Sequence, residues 1–366
     1  MTILAVASSA SAQVDPLAPL PVVTPVPEVL IHRAPVYTIP APASPIRPSF
    51  VLYKEQLAAR ARRERVREAT IQNVVPYLVL NSRVITLDRG QPGQINNPNW
   101  TPPFAPYRRE HVTSDLIHRG RIVYANHYGQ LSQIGTTTGV EPSILVSIFG
   151  HETSYGTVTG GFDLLDALAT LAYEGRRREL FESEFVAAIK LLDRGTPRYR
   201  LKGSWAGATG YPQFMPSVVL RLARDGDGDG VANIWGSKDD GFASIAQYMK
   251  EAGWRPGVVW GVAVRVPTGF DRAAVRSLVA APKCPRVYQR HSQWKSLAEW
   301  RALGVAPVGS SRGLRETEPL SLLEPDGPNA TAYLLSHNYR VILDYNCSNF
   351  YAMAVGLLAD AIAQRG

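Results

Sequence analysis

Apolar residues recur at helical spacing through most of the chain after Val51, and this pattern predicts a mainly helical protein. Pro142 suits the first turn of one helix, and Gly195 and Gly253 follow the ends of two others. Two later stretches are rich in Val, Ile and Tyr instead, which predicts strands. The predicted helices are Val140–Tyr155, Leu164–Glu174, Glu184–Asp193, Asp240–Glu251 and Tyr351–Gln364, and the predicted strands are Val258–Val266 and Tyr333–Tyr345. The expected fold class is therefore α+β, mainly α.

The N-terminal segment has a different composition from the rest. Residues 1–12 hold a short apolar stretch that ends in Ala10, Ser11 and Ala12, the pattern of a signal-peptidase site. No Lys or Arg precedes that stretch, so an accidental likeness stays open. Residues 13–50 contain ten prolines in 38 positions, which excludes regular helix and sheet and favours an extended tether. No apolar run is long enough to span a membrane and no cysteine stands near the site to carry a lipid, so we expect a soluble, exported protein whose folded region is 51–366.

Length and charge narrow the function classes. A chain of 366 residues is long enough for one large or two fused modules. Its net charge of +8 favours an anionic partner, such as nucleic acid, acidic lipid or a polymer that carries carboxylates. The basic stretch Tyr53–Glu68 also contains acidic residues, so it indicates a solvated helix face better than a nucleic-acid site. Cys284 and Cys347 lack the spacing of zinc or thioredoxin motifs, which leaves a disulfide open.

One carboxylate lies on an apolar helix stripe. Ile144, Ile148 and Glu152 follow one another at i+4 spacing in the helix SILVSIFGHETSYG. Burial disfavours the charged form of a carboxyl group, which raises its pKa and suits it to donate a proton near neutral pH. Glu152 is therefore a candidate general acid. A structural glutamate, or one freely solvated at the helix end, is the open alternative.

A second candidate is the segment GSWAGATGYPQFMPS, residues 203–217, whose glycines and prolines predict a shaped loop. Ser204 and Gln213 offer hydrogen bonds to hydroxyl or acetamido groups. The aromatic rings of Trp205, Tyr211 and Phe214 offer flat apolar faces to a sugar ring. The loop is a candidate ligand-binding segment, with a core-packing turn as the alternative.

The segment DGDGDG, residues 225–230, matches the start of an EF-hand loop. Asp225, Asp227 and Asp229 stand at positions 1, 3 and 5, Gly230 at the tight turn, and Val231 where a backbone carbonyl binds the ion. Three carboxylates this close repel one another unless a cation lies between them.

The last EF-hand position departs from the pattern, because Gly236 replaces the bidentate Glu. Asp239 or Asp240 would have to complete the shell from a longer loop. A hard divalent cation, Ca²⁺ first, is the expected ligand, and a solvated Asp/Gly loop is the alternative.

Taken in order, these stretches resemble the MltB-type lytic murein transglycosylases of glycoside hydrolase family 103, both membrane-bound and soluble. The resemblance begins at about Tyr107 and reaches the C-terminus. Its motifs are GHETSYG, LLDALATLAYEGRRRELF, GSWAGATGYPQFMPS, DGDGDG, DGFASIAQYMKEAGW and RVILDYNCSNFYAMAVGLLADAI. It implies a goose-type lysozyme-like core at about 107–255, with an additional helical region, and a C-terminal α/β part at about 256–366 that completes the cleft.

The implied reaction is non-hydrolytic cleavage of peptidoglycan between N-acetylmuramic acid and N-acetylglucosamine, leaving a 1,6-anhydromuramoyl end. Glu152 matches the family's catalytic acid. The residues implied to contact the glycan are Tyr107, Arg177, Ser204, Gln213, Phe214, Met215, Tyr248, Tyr345, Asn346 and Tyr351. The implied Ca²⁺ ligands are Asp225, Asp227, Asp229, the carbonyl of Val231, and Asp240. No organic cofactor is implied.

Two other functions stay open at this point. A lysozyme-type hydrolase would need a second acid, for which Asp163, Asp166 and Glu174 are the candidates. A catalytically silent peptidoglycan-binding scaffold is the other alternative. We expect a periplasmic monomer that binds glycan strands, with other cell-wall enzymes as further partners and without nucleic acid. In an oxidising periplasm, Cys284 and Cys347 are candidates to form a disulfide.

Overall fold

The computed structural model describes residues 49–91, 102–277, 284–309 and 313–364. The predicted signal peptide and nearly all of the predicted tether lie outside these ranges, and Phe50, the last residue assigned to the tether, already begins a helix. Helices form most of the described chain, and two small sheets accompany them. The predicted class, mainly helical α+β, is confirmed.

The helices are α1 Phe50–Arg63, α2 Glu68–Val74, α3 Ser82–Arg89, α4 Phe104–His111, α5 Ser114–Asn126, α6 Tyr128–Thr138, α7 Pro142–Thr153, α8 Leu164–Glu174, α9 Arg178–Asp193, α10 Pro216–Leu222, α11 Lys238–Glu251, α12 Pro285–Tyr288, α13 Leu297–Ala302, α14 His337–Tyr345 and α15 Asn349–Ala363. The strands are β1 Phe162–Asp163, β2 Lys202–Gly203, β3 Gly261–Arg265, β4 Lys295–Ser296, β5 Ala306–Pro307, β6 Pro319–Leu323 and β7 Ala332–Leu335. The five predicted helices correspond to α7, α8, α9, α11 and α15, although α9 begins at Arg178 rather than at Glu184.

Helix α7 lies inside the helical core, where α5, α6, α11 and α15 pack around it. Pro142 occupies its first turn, and every residue from Ile144 to Gly150 is buried. The hydroxyl of Ser147 donates a hydrogen bond of 2.7 Å to the carbonyl of Val355 on α15. Because neighbours cover all sides of its middle turns, α7 holds its C-terminal end in a fixed position.

The first helices pack against α8 and α9, and their charges take part in that packing. Arg60 on α1 forms ion pairs with Glu179 at 2.6 Å and with Glu182 at 2.7 Å. The hydroxyl of Tyr53 donates to Glu182 at 2.5 Å. The expectation of a solvated charged face is therefore wrong for Arg60, because its guanidinium fills the contact between two helices.

The larger sheet is antiparallel and has the strand order β4-β6-β7-β3-β5. Strand β3 falls within the predicted strand Val258–Val266. The predicted strand Tyr333–Tyr345 is wrong beyond Leu335, where the chain turns into α14. The hydroxyl of Ser336 accepts a hydrogen bond from the backbone N–H of Asn338 at 3.1 Å, so this serine caps the helix and ends the strand.

The C-terminal helices return to the helical core. A single cluster of buried apolar residues extends from Tyr53 to Ile362, so α14 and α15 share the core of α7. A disulfide joins Cys284, just before α12, to Cys347 between α14 and α15, with 5.6 Å between the two Cα atoms. Because α15 packs on α7, residues near the C-terminus lie beside the end of α7.

Candidate active site

Glu152 lies in the last turn of α7, where the chain makes a sharp exit from the helix. Ser154 and Tyr155 follow with φ angles of 49° and 60°, a left-handed conformation that is unfavourable for residues other than glycine. Helix α5 stabilises it. Arg119 donates to the hydroxyl of Ser154 at 2.9 Å, and the hydroxyl of Tyr155 donates to a carbonyl of α5 at 2.7 Å. The side chain of Glu152 is therefore left at the edge of the core.

The carboxyl group of Glu152 is bound by one neighbour, Tyr351 on α15. The phenol of Tyr351 donates to Oε1 of Glu152 at 2.6 Å. Burial raises the pKa of Glu152 to about 7, and this hydrogen bond opposes the rise because it stabilises the carboxylate. Glu152 nevertheless keeps partial access to solvent. The stripe of apolar residues on α7 had predicted this raised pKa.

Two further tyrosines lie within electrostatic range of Glu152. Burial, followed by the nearby charge of Glu152, raises the pKa of Tyr107 on α4 to about 12. The same two causes raise the pKa of Tyr345 on α14 well above its usual value. Both phenols thus keep their protons at neutral pH. With Tyr351, three tyrosines from three different helices therefore lie within electrostatic range of one carboxyl group.

Beside these tyrosines is a small, mainly apolar cavity. Its wall combines the rings of Phe214, Tyr248 and Tyr345, and Tyr248 and Tyr345 lie edge to face with 4.9 Å between their centroids. The remaining lining residues are Gln213, Met215 and Val218. Five residues predicted to contact the glycan therefore line one cavity.

Hydrogen bonds within the predicted binding loop and to Thr159 fix its shape. Gln213 has a φ angle of 51°, and its side-chain amide donates to the carbonyls of Thr159 at 3.1 Å and Gly210 at 2.9 Å. The hydroxyl of Ser204 accepts from the N–H of Ala208 at 3.1 Å. Because its N–H groups are used by the loop, Gln213 offers its oxygen to a ligand, as an acceptor rather than a donor.

Two predicted glycan residues lie apart from this group. Arg177 pairs with the buried carboxylate of Asp88 on α3 at 3.3 Å, and its guanidinium lies 4.9 Å from the ring centroid of Phe181. Asn346 is buried at the end of α14, where its N–H donates to the carbonyl of Ile342 at 3.2 Å. Neither lines the aromatic cavity, and their contact with glycan stays a prediction.

Sequence reasoning missed two histidines near Glu152. His111 stacks on Tyr107 with 3.7 Å between the ring centroids, and His151 lies 5.8 Å from the ring of Tyr351. Burial lowers the pKa of His151 to about 4, so it is neutral at physiological pH. The i, i+4 spacing of Tyr107 and His111 in a helix was a readable signal. The contact of His151 with α15 was not, because it depends on packing between distant segments.

The acidic loop brings three predicted cation ligands together. Carboxylate oxygens of Asp225, Asp227 and Asp229 lie within 4.8 Å of one another, and all three residues are exposed. Asp225 also accepts hydrogen bonds from the N–H groups of Gly228 and Gly230, at 2.6 and 2.7 Å, which curls the loop around the carboxylates. A cluster of hard oxygen donors fits Ca²⁺. The neighbouring Val231 is exposed.

Asp240 has a different position from the other predicted ligands. Its buried carboxylate accepts from the N–H groups of Gly226 at 2.8 Å and Asn233 at 2.6 Å, so it ties the loop to the start of α11. Asp239, the alternative ligand, lies 2.7 Å from Nδ1 of His127. Neither belongs to the carboxylate cluster in the described chain, and both roles stay predictions.

The helical core and the buried acid beside an aromatic cavity define the class of lysozyme-like, glycan-cleaving enzymes. Residues 49–360 match the family model described as the transglycosylase SLT domain. The chain is 34% identical to the membrane-bound lytic murein transglycosylase B of Escherichia coli K12 over 271 residues, which is 72% of this chain and 70% of that protein.

Solved structures give the same result. SltB3 of Pseudomonas aeruginosa, solved with NAG-anhNAM-pentapeptide, matches with a TM-score of 0.75 and 34% identity over 86% of this chain and 79% of that one. Slt35 of Escherichia coli, solved with calcium, matches with a TM-score of 0.68 and 30% identity over 85% and 92%. The chain therefore belongs to the transglycosylase SLT family, and the resemblance to lytic murein transglycosylases is confirmed.

Proposed function

We propose that this protein is a lytic transglycosylase that cleaves the β-1,4 bond between N-acetylmuramic acid and N-acetylglucosamine in peptidoglycan and leaves a 1,6-anhydromuramoyl end. The observation that carries the proposal is the carboxyl group of Glu152, whose pKa burial raises to about 7. A group with that pKa donates and recovers a proton near neutral pH. The complex of the relative SltB3 with an anhydromuramoyl peptide supports the choice of product.

In the first step, Glu152 gives its proton to the glycosidic oxygen as the bond from that oxygen to the anomeric carbon breaks. The 2-acetamido group of the muramoyl sugar stabilises the positive charge that develops on the anomeric carbon, in place of a second carboxylate. Tyr351 already donates to Oε1, so Oε2 is the oxygen that carries the proton. The phenol then stabilises the carboxylate that forms.

In the second step, the carboxylate of Glu152 takes the proton of the muramoyl 6-hydroxyl, and the hydroxyl oxygen bonds to the anomeric carbon. Glu152 returns to its neutral form, and no water is consumed. The aromatic wall formed by Phe214, Tyr248 and Tyr345 supports the sugar ring while its own hydroxyl attacks. Attack within one molecule avoids the entropic cost of a bimolecular encounter.

The acids considered for a hydrolytic mechanism are used for other purposes. Asp163 caps α8 through two backbone N–H groups and pairs with Arg198 at 3.1 Å. Asp166 accepts from the N–H of Val79 at 3.0 Å, and Glu174 pairs with an arginine of α3 at 2.8 Å. Since all three stabilise the fold, they favour the single-acid lytic reaction over a second-acid hydrolase.

Mass analysis of the products from purified peptidoglycan tests the proposal. We expect soluble fragments with anhydromuramoyl ends, which are lighter than reducing ends by one water. Glu152→Gln should lower the rate by about 10²–10⁴-fold because the amide cannot transfer the proton.

Glu141→Gln is the matched control for that substitution. Glu141 precedes the other end of α7, about 16 Å away along the helix, and burial also raises its pKa to about 7. This variant should keep its activity. Reducing ends would indicate a hydrolase, wall binding without soluble fragments would indicate a scaffold, and an active Glu152→Gln enzyme would refute the assignment.

We also propose that Asp225, Asp227 and Asp229, together with the carbonyl of Val231, bind a structural Ca²⁺ ion, with Asp240 as the last ligand. The mutual distances of the three carboxylates support this, as does the calcium complex of the relative Slt35. The ion would neutralise the repulsion between the carboxylates and hold the loop before α11. It takes no part in the proton transfers.

Location follows from the substrate. Within the described part of the chain, none of the helices has both the length and the apolar character needed to cross a membrane. We propose export to the periplasm, where peptidoglycan lies, through the segment that ends at Ala12. Protein isolated from the periplasm should then begin at Gln13, and an N-terminus that retains residues 1–12 would contradict the proposed cleavage.

A further inference from the structure

Arg340 on α14 is held between two aromatic rings. The centre of its guanidinium lies 4.3 Å from the ring centroid of Tyr288 and 4.4 Å from that of Trp294. Both distances are those of cation–π contacts with the planar cation. Its edge, where the N–H groups point, is the part that can hydrogen-bond a partner.

That edge forms no direct ion pair in the described ranges. Arg340 forms neither an ion pair nor a side-chain hydrogen bond there, and its Nε is buried without an acceptor. The remaining internal segments, 92–101, 278–283 and 310–312, contain neither Asp nor Glu. Asp344, one turn further along α14, acts on this charge without forming an ion pair with it. A half-buried cation without a direct ion pair is costly, and that cost falls when an anion binds.

Arg340 and Arg290 both act on the charge state of the nearby His291. Burial lowers its own pKa, which Tyr288 and Asp344 partly oppose. Burial also lowers the pKa of His291 to about 4, and the charges of Arg340 and Arg290 contribute. The positive charges of Arg340 and Arg290 thus reach His291, and such charges attract anions.

Arg340 lies on the same helix as a residue that lines the proposed cleft. Tyr345 lines the aromatic cavity and stands five positions after Arg340 on α14, about 7.5 Å along the helix axis. The disulfide from Cys284 to Cys347 fixes the segment that carries Tyr288 beside the end of that helix. A chain of two or three residues attached to a sugar in the cleft spans about 7–10 Å, which is comparable to that axial separation.

We propose that the edge of Arg340, oriented by Tyr288 and Trp294, binds a free carboxylate of the peptide that branches from the muramoyl sugar. This rests on the proposed function, which puts that sugar in the cleft. A guanidinium edge matches a carboxylate through two parallel hydrogen bonds, and an ammonium group does not. The site would favour glycan that carries peptides over bare glycan.

Kinetics on two substrates test the proposal: glycan strands with their peptides, and the same strands with the peptides removed. Arg340→Gln should lower kcat/KM by about tenfold on the peptide-bearing strands, mainly through KM, and leave the bare strands unchanged. Arg340→Lys should restore only part of the loss. Arg265→Gln, which removes an exposed arginine of β3, is the matched control and should change neither.

The ratio of the two rates cancels any fraction of variant that fails to fold. An equal loss on both substrates would show a purely structural clamp and overturn the proposal, as would no loss on either.

Binding of the free stem tetrapeptide is a readout that needs no catalysis. Its titration should shift the indole NMR signal of Trp294, which is assigned by its loss in Trp294→Phe. A tetrapeptide with amidated carboxylates, or the Arg340→Gln variant, should give no shift. Absence of a shift in the wild-type protein would overturn the proposed site, whereas absence of anhydro products would overturn the proposed function.

Discussion

At the scale of single residues, two opposing effects set the acidity of Glu152. Burial among apolar side chains of α7 favours the neutral carboxyl group, and the phenol of Tyr351 favours the carboxylate. The reaction proposed above needs both forms in turn. A pKa near the working pH keeps the free-energy cost of both proton transfers low. Tyr351 is therefore a positioning and tuning partner of the acid.

The dependence of kcat/KM on pH should report both effects on the pKa of Glu152. The wild-type kcat/KM should fall as the pH rises through about 7, because the donor form of Glu152 is lost. Tyr351→Phe removes the hydrogen bond that lowers this pKa, so the descending limb should move to higher pH by about one unit. Its maximal rate should fall, since the carboxylate is less stabilised.

Tyr77→Phe is the control for the pH profile. Tyr77 is an exposed tyrosine, and its loss should leave the limb in place. A limb that stays at the wild-type pH in Tyr351→Phe would argue against the hydrogen bond as the tuning contact.

The periodicity of α7 sufficed to predict both the burial of Glu152 and the direction of its pKa shift. It could not identify Tyr351 as the hydrogen-bond partner of Glu152, because the two residues are 199 positions apart in the chain. Gln213 shows the same limit. The composition identified its loop. It could not show that the side-chain oxygen, rather than the NH₂ group, remains available to a ligand, because this depends on the hydrogen bonds to the carbonyls of Thr159 and Gly210.

At the scale of elements, short polar residues decide where one structure ends and the next begins. Tyr333–Tyr345 has the Val, Ile and Tyr content of a strand, yet Ser336 caps a helix there and the burial of Val341 and Leu343 stabilises it. Polar residues also decide the structure of the loop at residues 225–231, where Val231 is the single apolar residue and is exposed. Its shape depends on carboxylates that accept hydrogen bonds from backbone N–H groups. An ion bound to these carboxylates should therefore stabilise the whole loop.

We expect calcium to stabilise this loop and with it the start of α11. Calcium at 100 times its Kd should raise the free energy of unfolding by about 2.7 kcal/mol, and a chelator should reverse the gain. Asp227→Asn should abolish the response because it removes one of the clustered charges. Thermal unfolding with and without calcium measures this stabilisation in the wild-type protein and in the variant.

A second Asp→Asn change controls for the substitution itself. Asp271 is an exposed aspartate that bonds the N–H of Ala273 outside the cluster. Asp271→Asn should keep the calcium response. If the wild-type protein unfolds at the same temperature with calcium and with chelator, the loop does not bind the ion as proposed.

At the scale of the whole molecule, the site depends on segments that are far apart in sequence. Helix α7 supplies the acid, α4, α14 and α15 supply the tyrosines, and the loop before α10 supplies Gln213. The sequence predicted α7, α15 and the loop, but it predicted neither α4 nor α14 as a helix. It also could not predict their arrangement, because each contact forms only when the C-terminal helices return to the core. The disulfide between Cys284 and Cys347 is the covalent link in that return.

Loss of this disulfide should destabilise the protein without changing its reaction. The bond closes a loop of 63 positions, for which the chain-entropy model gives about 4 kcal/mol. Cys284→Ser and Cys347→Ser should each lower the free energy of unfolding in urea by that amount, and reductant should do the same to the wild-type protein. Reductant should not destabilise either variant further, and the double variant should be no less stable than each single variant, because all of these changes remove the same bond.

The folded fraction of either variant should still release anhydromuramoyl products, since Glu152 and Tyr351 are held by α7 and α15. Urea curves that coincide with and without reductant would show that the two cysteines do not pair in the protein.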